Sequence, residues 1–398
     1  MAPNNRIGLF HYNDTFSSIQ KDFIMVLIEN GFIVDLFINL RSASTNLVNF
    51  NEIIKTENVN VHIIEGEKLI KWYKKILLLK PSLLKEEVYQ NAIFLSDIII
   101  QKMNDQYFCF IGIEKMGLLW AGEFSEKYQI PLIYYSLELY IEDHPYYSNF
   151  KKLHHIEKIY HQKAICTIVQ DEFRQKRLYQ SNEIKNSDTI FLPVYSRGAC
   201  VKDPSKSFFQ QMFKLDKNNR ILLYYGAMQK HRCCREIAAI APKLSNTSVV
   251  FHGYGNLNYI SSLKKFVNVY ISTDLFEETK IGDIFLSVDI GISLYDNSFS
   301  NNRFTAFSST KIALYLKYGI PIITFNNESY QKLFRKYRCG EMINKIDDLP
   351  IALDKIISNF PTYKKNAYLA YEEFYNLDNT SKELLSYLFA LCSKKTFN

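Results

Sequence analysis

The sequence predicts an α/β protein built as two doubly wound, parallel-sheet units. Three observations carry that expectation. Strand-like and helix-like runs alternate almost from end to end, the alternation starts afresh near residue 218, and 398 residues exceed what one ordinary core holds. Apolar residues make up 47% of the chain and aromatics 15%, enough to fill two cores and too much for a disordered chain.

Taken in order, the first half reads as strands at 6–11, 34–39, 59–65, 107–113, 131–136, 164–169 and 189–192, with helices in the gaps. Helical periodicity at 16–30 stops at Gly31, a residue suited to the left-handed turn that closes a helix. The polar stretch 193–219, with Gly198, Pro204 and several Ser and Lys residues, reads as a boundary. Strands recur at 220–226, 248–253, 267–271, 289–294 and 320–324, and after Pro361 two helical patterns follow with no strand. The expected division is a first domain at 1–195, a second at 196–360 and C-terminal helices at 361–398 that pack back on the first. Sheets of this kind bind ligands beyond the carboxyl ends of their strands, which in a two-domain chain are expected to face each other over a cleft.

Composition narrows the function. No basic segment with a long apolar run and small-residue cleavage site is visible, and no stretch approaches the roughly 18 uncharged apolar residues of a membrane span. Seven cysteines, an odd number with several in strand-like runs, fit a reducing cytoplasm. Without Cys-x-x-Cys or a His/Cys cluster at metal-ligand spacing, a zinc site is not expected. A net charge of +7 is modest, no basic-aromatic RNA-binding motif occurs, and nucleic acid is not an expected partner.

Candidate chemistry concentrates in the second half. The run Leu222-Leu223-Tyr224-Tyr225-Gly226-Ala227-Met228-Gln229-Lys230-His231-Arg232 takes an apolar strand into a glycine and then two cations, suited to an anion. Val249-Val250-Phe251-His252-Gly253-Tyr254-Gly255 ends a strand in Gly-x-Gly, where backbone can approach a ligand. Ser308-Ser309-Thr310-Lys311 opens a helix that closes at Gly319-Ile320-Pro321-Ile322. Hydroxyls and first-turn N–H groups there serve either as caps or as donors to a phosphate.

In this order, with Ser287-Val288-Asp289-Ile290 between the second and third, these segments resemble the donor-binding half of GT-B glycosyltransferases. The likeness is to the large, mostly retaining, group 1 type of bacterial nucleotide-sugar enzymes. It covers about residues 220–345 well, and more loosely Ile130-Pro131-Leu132-Ile133-Tyr134-Tyr135-Ser136-Leu137-Glu138 and Ala164-Ile165-Cys166-Thr167-Ile168-Val169-Gln170-Asp171-Glu172-Phe173-Arg174. The resemblance implies two Rossmann-like domains facing across a cleft, with C-terminal helices returning to the first. It implies transfer of a sugar from a nucleotide-sugar, read here as UDP-linked, to a glycan or glycolipid acceptor. Retention of configuration and a place in cell-surface polysaccharide or glycoconjugate synthesis go with it.

Carried over residue by residue, Arg232 or Lys230 would hold the donor diphosphate, with Gly226, Gly253 and Gly255 allowing close backbone approach. Ser308, Ser309, Thr310 and Lys311 would add donors, and the base would lie near 273–276, including Leu275. Tyr254 either stacks nearby or packs. Such fixed donors stabilise the charge that grows on the departing diphosphate. No Asp-x-Asp occurs, so the expectation is a metal-independent enzyme without a cofactor, Lys and Arg replacing the cation. Ala227 stands where many relatives have a basic residue, and Leu314 where they have Glu.

In the first half Glu138, just past a strand, reads either as a carboxylate desolvated into a useful base or as a loop carboxylate that caps a helix. His11 and Asp14, at the end of the first strand, are candidates to touch acceptor or sugar. The stretch 66–85 interleaves Lys68, Lys71, Lys74, Lys75 and Lys80 with apolar residues. It reads either as an interfacial helix meeting anionic membrane or as a helix packed on the first sheet with its lysines outward. A cytoplasmic protein, with or without peripheral contact at the inner face of the membrane, is expected. Two other functions stay open: a non-catalytic nucleotide- or sugar-binding module descended from a transferase, and a GT-B nucleotide-sugar epimerase, which needs an acidic pair.

Overall fold

The computed structural model describes residues 5–12, 16–38, 47–64, 93, 95–103, 106–145, 147–203, 205–274 and 281–396. The chain forms two compact units, Met1–Leu192 with Ser381–Asn398, and Pro193–Thr380.

The sheet of the first unit contains β1 (Arg6–His11), β2 (Ile33–Ile38), β3 (Val59–Ile63), β4 (Tyr107–Ile113), β5 (Leu132–Tyr135), β6 (Cys166–Val169) and β7 (Asp188–Phe191). All neighbours pair in parallel, in the order β3-β2-β1-β4-β5-β6-β7. The order turns back between β1 and β4, the switch point whose carboxyl ends form the natural ligand site of an open sheet. Strand β4 is buried along its whole length, as the unbroken apolar run YFCFIGI requires. Phe10 stacks on Phe37 at 4.7 Å and meets Phe110 edge-on at 5.4 Å. Helix Glu114–Tyr128 closes that core with Leu118, Trp120, Ala121 and Phe124. Helix Ser18–Glu29 starts at a capping box of Ser17 and Gln20.

The second unit repeats the design with β8 (Arg220–Tyr225), β9 (Thr247–His252), β10 (Val269–Ser272), β11 (Ile290–Ser293), β12 (Ile322–Phe325) and β13 (Gly340–Ile343), ordered β10-β9-β8-β11-β12-β13. The sequence reading did not include β13, a four-residue edge strand. Alternation along β8 fills two cores. Leu222 and Tyr224 meet Ile237 and Leu353 on one face. Ile221 and Leu223 meet Ile312, Leu316 and Tyr371 on the other. Helices Cys234–Ile240 and Leu349–Ser358 cover the first, and Thr310–Lys317 and Phe360–Phe374 the second.

Of the helices expected at 361–398, the first therefore lies in the second unit. Its Tyr371 hydroxyl bonds the carbonyls of Ser196 (3.0 Å) and Gly198 (2.7 Å), and Tyr375 donates to Ala306 O at 2.7 Å. Helix Lys382–Thr396 belongs to the first unit, where Phe389 stacks on Phe32 at 4.9 Å. The lysine-rich stretch 66–85 lies outside the described residues. Among those described, no helix is long and apolar enough to cross a membrane.

Candidate functional site

At the carboxyl ends of β8, β9 and β11, backbone geometry comes first. Gly226 has φ +111 and Gly253 φ +151, and a Cβ on Gly253 would fall 2.1 Å from Gly226 O. Only glycine permits that approach. It lets Gly226 N donate to His252 O (2.9 Å) and Met228 N to Tyr254 O (2.7 Å), so the loops after β8 and β9 run together.

The fastened loop then makes a single 3-10 turn, Lys230–Arg232, ending at Cys233 with φ +54. Lys230 is exposed, whereas Arg232 turns inward. Its guanidinium carbon lies 4.2 Å from the ring centre of Tyr295, two residues beyond β11. The Lys311 ammonium lies 5.0 Å from the same ring and 4.5 Å from that of Tyr224. Lys311 is only 9% exposed and Tyr295 7%. The Tyr295 hydroxyl is hydrogen-bonded to Ser309 Oγ at 2.9 Å. Ser309 precedes helix Thr310–Lys317 in extended conformation, and its side chain does not cap the helix. First-turn N–H groups without a side-chain cap form a positive end.

Electrostatics follow from this packing. Burial lowers the Lys311 pKa, and Arg232 adds to the effect while the nearby phenol opposes it. Burial alone would push the Tyr295 phenol up, but Lys311 and Arg232 together pull it below its ordinary value. Among the described residues neither cation is ion-paired with a carboxylate. At the end of β9, His252, held through Nδ1 to Ser272 Oγ at 3.0 Å, is pushed by burial down to about 4 and is neutral near pH 7.

The structure thus gathers Gly226, Arg232, Gly253, Ser309 and Lys311 at one place, with Gly255 bridged to Met228 beside them. Lys230, Thr310 and the 64% exposed Tyr254 lie at the surface. Ser308 spends its hydroxyl on Phe304 O, at 3.0 Å. Leu275 lies outside the described residues. The sequence reading overlooked Tyr224 and Tyr295. Their signal was position, one inside β8 and the other just past β11, at strand ends where ligands bind.

In the first unit His11 is buried, its ring 6.2 Å from that of Phe16, and Asp14 lies outside the described residues. Glu138 is exposed, so the desolvation expected of it is not found. A neighbour shows it instead: partly buried Glu114, at φ +61, accepts the N–H groups of Leu137 (3.0 Å) and Glu138 (3.1 Å). Burial, then the charge of Glu138, raise its carboxyl to about 8 against the pull of Arg174. Arg174 Nη2 donates to Leu137 O (2.6 Å) and Lys115 Nζ to Tyr140 O (3.0 Å), so side chains from two helices grip this loop by its backbone. Among the described residues no three His, Cys, Asp or Glu side chains gather as metal ligands.

No family model and no curated protein matches the sequence. Solved structures do. A sucrose-phosphate synthase from Thermosynechococcus elongatus superposes with TM-score 0.73 at 12% identity, over 97% of this chain and 99% of the other. Anabaena HepE with UDP and glucose bound gives 0.68 at 12%, over 97% and 99%. An α,α-trehalose-phosphate synthase (UDP-forming) from Burkholderia vietnamiensis gives 0.68 at 6%, over 98% and 99%. At such identities the likeness is one of fold, and it spans essentially the whole chain: this protein has the GT-B fold of two Rossmann-like units.

Proposed function

We propose that the protein is a glycosyltransferase that takes a sugar from a nucleoside-diphosphate donor, UDP-linked by preference, and passes it to a glycan or glycolipid with retention of configuration. One observation carries the reading: Arg232 and Lys311, both without a carboxylate partner among the described residues, meet beside an uncapped helix start at the switch point of the second sheet. Such a place lacks an anion, and a pyrophosphate group supplies one. That HepE is described with UDP and with UDP-glucose bound supports the choice of nucleotide.

In this proposal the chemistry is electrostatic. As the bond from the sugar to the diphosphate breaks, negative charge grows on the phosphate oxygens, and cations fixed in a dry setting stabilise it without reorganising. The guanidinium, the ammonium and the N–H groups at Ser309–Lys311 do the work that a divalent ion does elsewhere, so the enzyme is metal-independent. The loop 137–140 and the end of β1, with Glu138, His11 and Asp14, receive acceptor or sugar.

The test is a melting-temperature panel of UDP-, GDP-, ADP- and CMP-sugars, followed by titration of the best. UDP-sugars are expected to protect and to release UDP slowly. Arg232→Ala and Lys311→Ala each weaken UDP about tenfold or more, the scale of a hydrogen bond to a charged group. Lys230→Ala changes affinity less. Undiminished UDP binding by the Arg232/Lys311 double variant sinks the proposal.

A further inference from the structure

Lysine and arginine almost never sit in a protein interior without a carboxylate, because an uncompensated charge out of water is costly. Around buried Lys311 and half-buried Arg232 the described residues provide aromatic faces instead. Tyr295 lies within 5.0 Å of both cations, and Tyr224 lies 4.5 Å from the ammonium. Each ring is fixed by its own hydroxyl: Tyr295 through Ser309 Oγ (2.9 Å), Tyr224 by donating to Ala227 O (2.7 Å).

We propose that Tyr295, with Tyr224 behind it, is a positioning residue that stands in for a carboxylate, holding Arg232 and Lys311 side by side without cancelling their charge. The inference rests on the donor reading above and deepens it. A ring face attracts a cation through its quadrupole and carries no net charge. Two like charges are thereby kept close, at a cost in repulsion that only an incoming anion relieves. A carboxylate at the same place would hold them more firmly and compete with the ligand. The bond to Ser309 adds direction, since it ties the ring to the helix start whose N–H groups form the third side of the site. The Gly226 backbone passes near the ammonium: a methyl there would lie 4.0 Å from Lys311 Cε and Nζ, in ordinary contact. The ligand selected is a group with adjacent negative charges, a pyrophosphate, and the selection does not depend on the nucleoside attached.

Calorimetric titration of the full chain with inorganic pyrophosphate and with UDP tests this, using Tyr295→Phe, Tyr295→Leu and Tyr295→Glu. The phenylalanine variant keeps the ring and is expected to bind both probes within about twofold of the parent. The leucine variant is expected to bind both about tenfold more weakly, the scale of lost cation–π contacts. The glutamate variant supplies the missing anion internally, so pyrophosphate binding is lost while the ligand-free melting temperature rises, which a merely structural role would not produce. Should the glutamate variant not fold, phenylalanine against leucine still decides. Parent-like affinity in the leucine variant overturns the proposal, as does an equal loss in the phenylalanine variant. If the parent binds pyrophosphate in this ring-dependent way but no nucleotide, the donor reading falls and the aromatic cradle stands. If it binds UDP and the leucine variant does so equally well, the reverse holds.

Discussion

Glu114 holds a left-handed backbone conformation that costs roughly 1–2 kcal/mol for a residue with a Cβ, and its carboxyl takes up two N–H groups of the loop after β5. Its pKa, raised from 4.5 to about 8, means that folding favours the protonated form. The unfolded chain ionises it near 4.5, so its contribution to stability is full below that pH, declines as pH rises, and is gone above about 8. Asp171, raised to about 6 chiefly by burial, acts in the same direction over a lower range. The groups facing Glu114 are Glu138, which adds to the rise, and Arg174, which opposes it. Melting the protein from pH 5 to 9 should show the first unit losing stability toward pH 8, with a smaller fall in Glu114→Gln. An unchanged slope in that variant would assign the pH dependence elsewhere. Such residues were not legible in the sequence for a plain reason. Glu114-Lys115 reads as an ordinary helix start, and its meaning comes from Leu137 and Arg174, which only the fold brings near. Arg232 and Lys311 were legible because cations after a strand-glycine turn and at a helix start suggest an anion by themselves, whereas the ring they share did not.

Two helices of the first unit are joined by a buried charge pair. Lys115 Nζ on helix Glu114–Tyr128 lies 2.6 Å from Glu157 Oε2 on helix Tyr147–Lys163. Tyr134 donates to Glu157 Oε1 at 2.8 Å, and His154 Nδ1 lies 3.2 Å from Oε2. Burial would push the Glu157 carboxyl up, but the bonds from His154, Lys115 and Tyr134 hold it below the usual range. Removing Glu157 leaves the buried Lys115 ammonium with the Tyr140 carbonyl in place of an opposite charge. Glu157→Ala is therefore expected to lower the urea-unfolding free energy by about 3–5 kcal/mol, and the apolar double variant Lys115→Met/Glu157→Leu by far less. Equal losses in both would mean that packing volume, not charge, matters here. At this scale the sequence was most legible, since every strand predicted in it is present with ends shifted by about two residues or fewer. The exception is β13: Gly340-Glu341-Met342-Ile343 is too short and too polar to show a strand period, and it pairs through backbone with β12.

Across the whole molecule the same strand order appears twice, running outward from β1 or β8 and then restarting on the other side at β4 or β11. Alternation in the sequence exposed that repeat, because parallel strands need crossovers and crossovers here are helical. Which core each C-terminal helix joins was less legible, since an apolar stripe announces that a helix is covered without naming what covers it. Phe360–Phe374 buries Tyr363, Ala367, Ala370 and Tyr371 in the second unit, whereas Lys382–Thr396 buries Leu384 and Leu388 in the first. Truncation after Thr380 should accordingly damage the unit farther away in sequence. It removes two leucines worth about 1.5–3 kcal/mol each and uncovers Phe32, which stacks on Phe389. Calorimetry should show one unfolding transition lowered by several degrees and the other in place, with the pyrophosphate Kd unchanged. Truncation after Asn359 strips Tyr371 from the second core and frees the segment at Ser196–Gly198, so pyrophosphate binding should be lost. Loss of binding already on truncation at Thr380 would show that the anion site needs the final helix, and that the two cores do not stand alone.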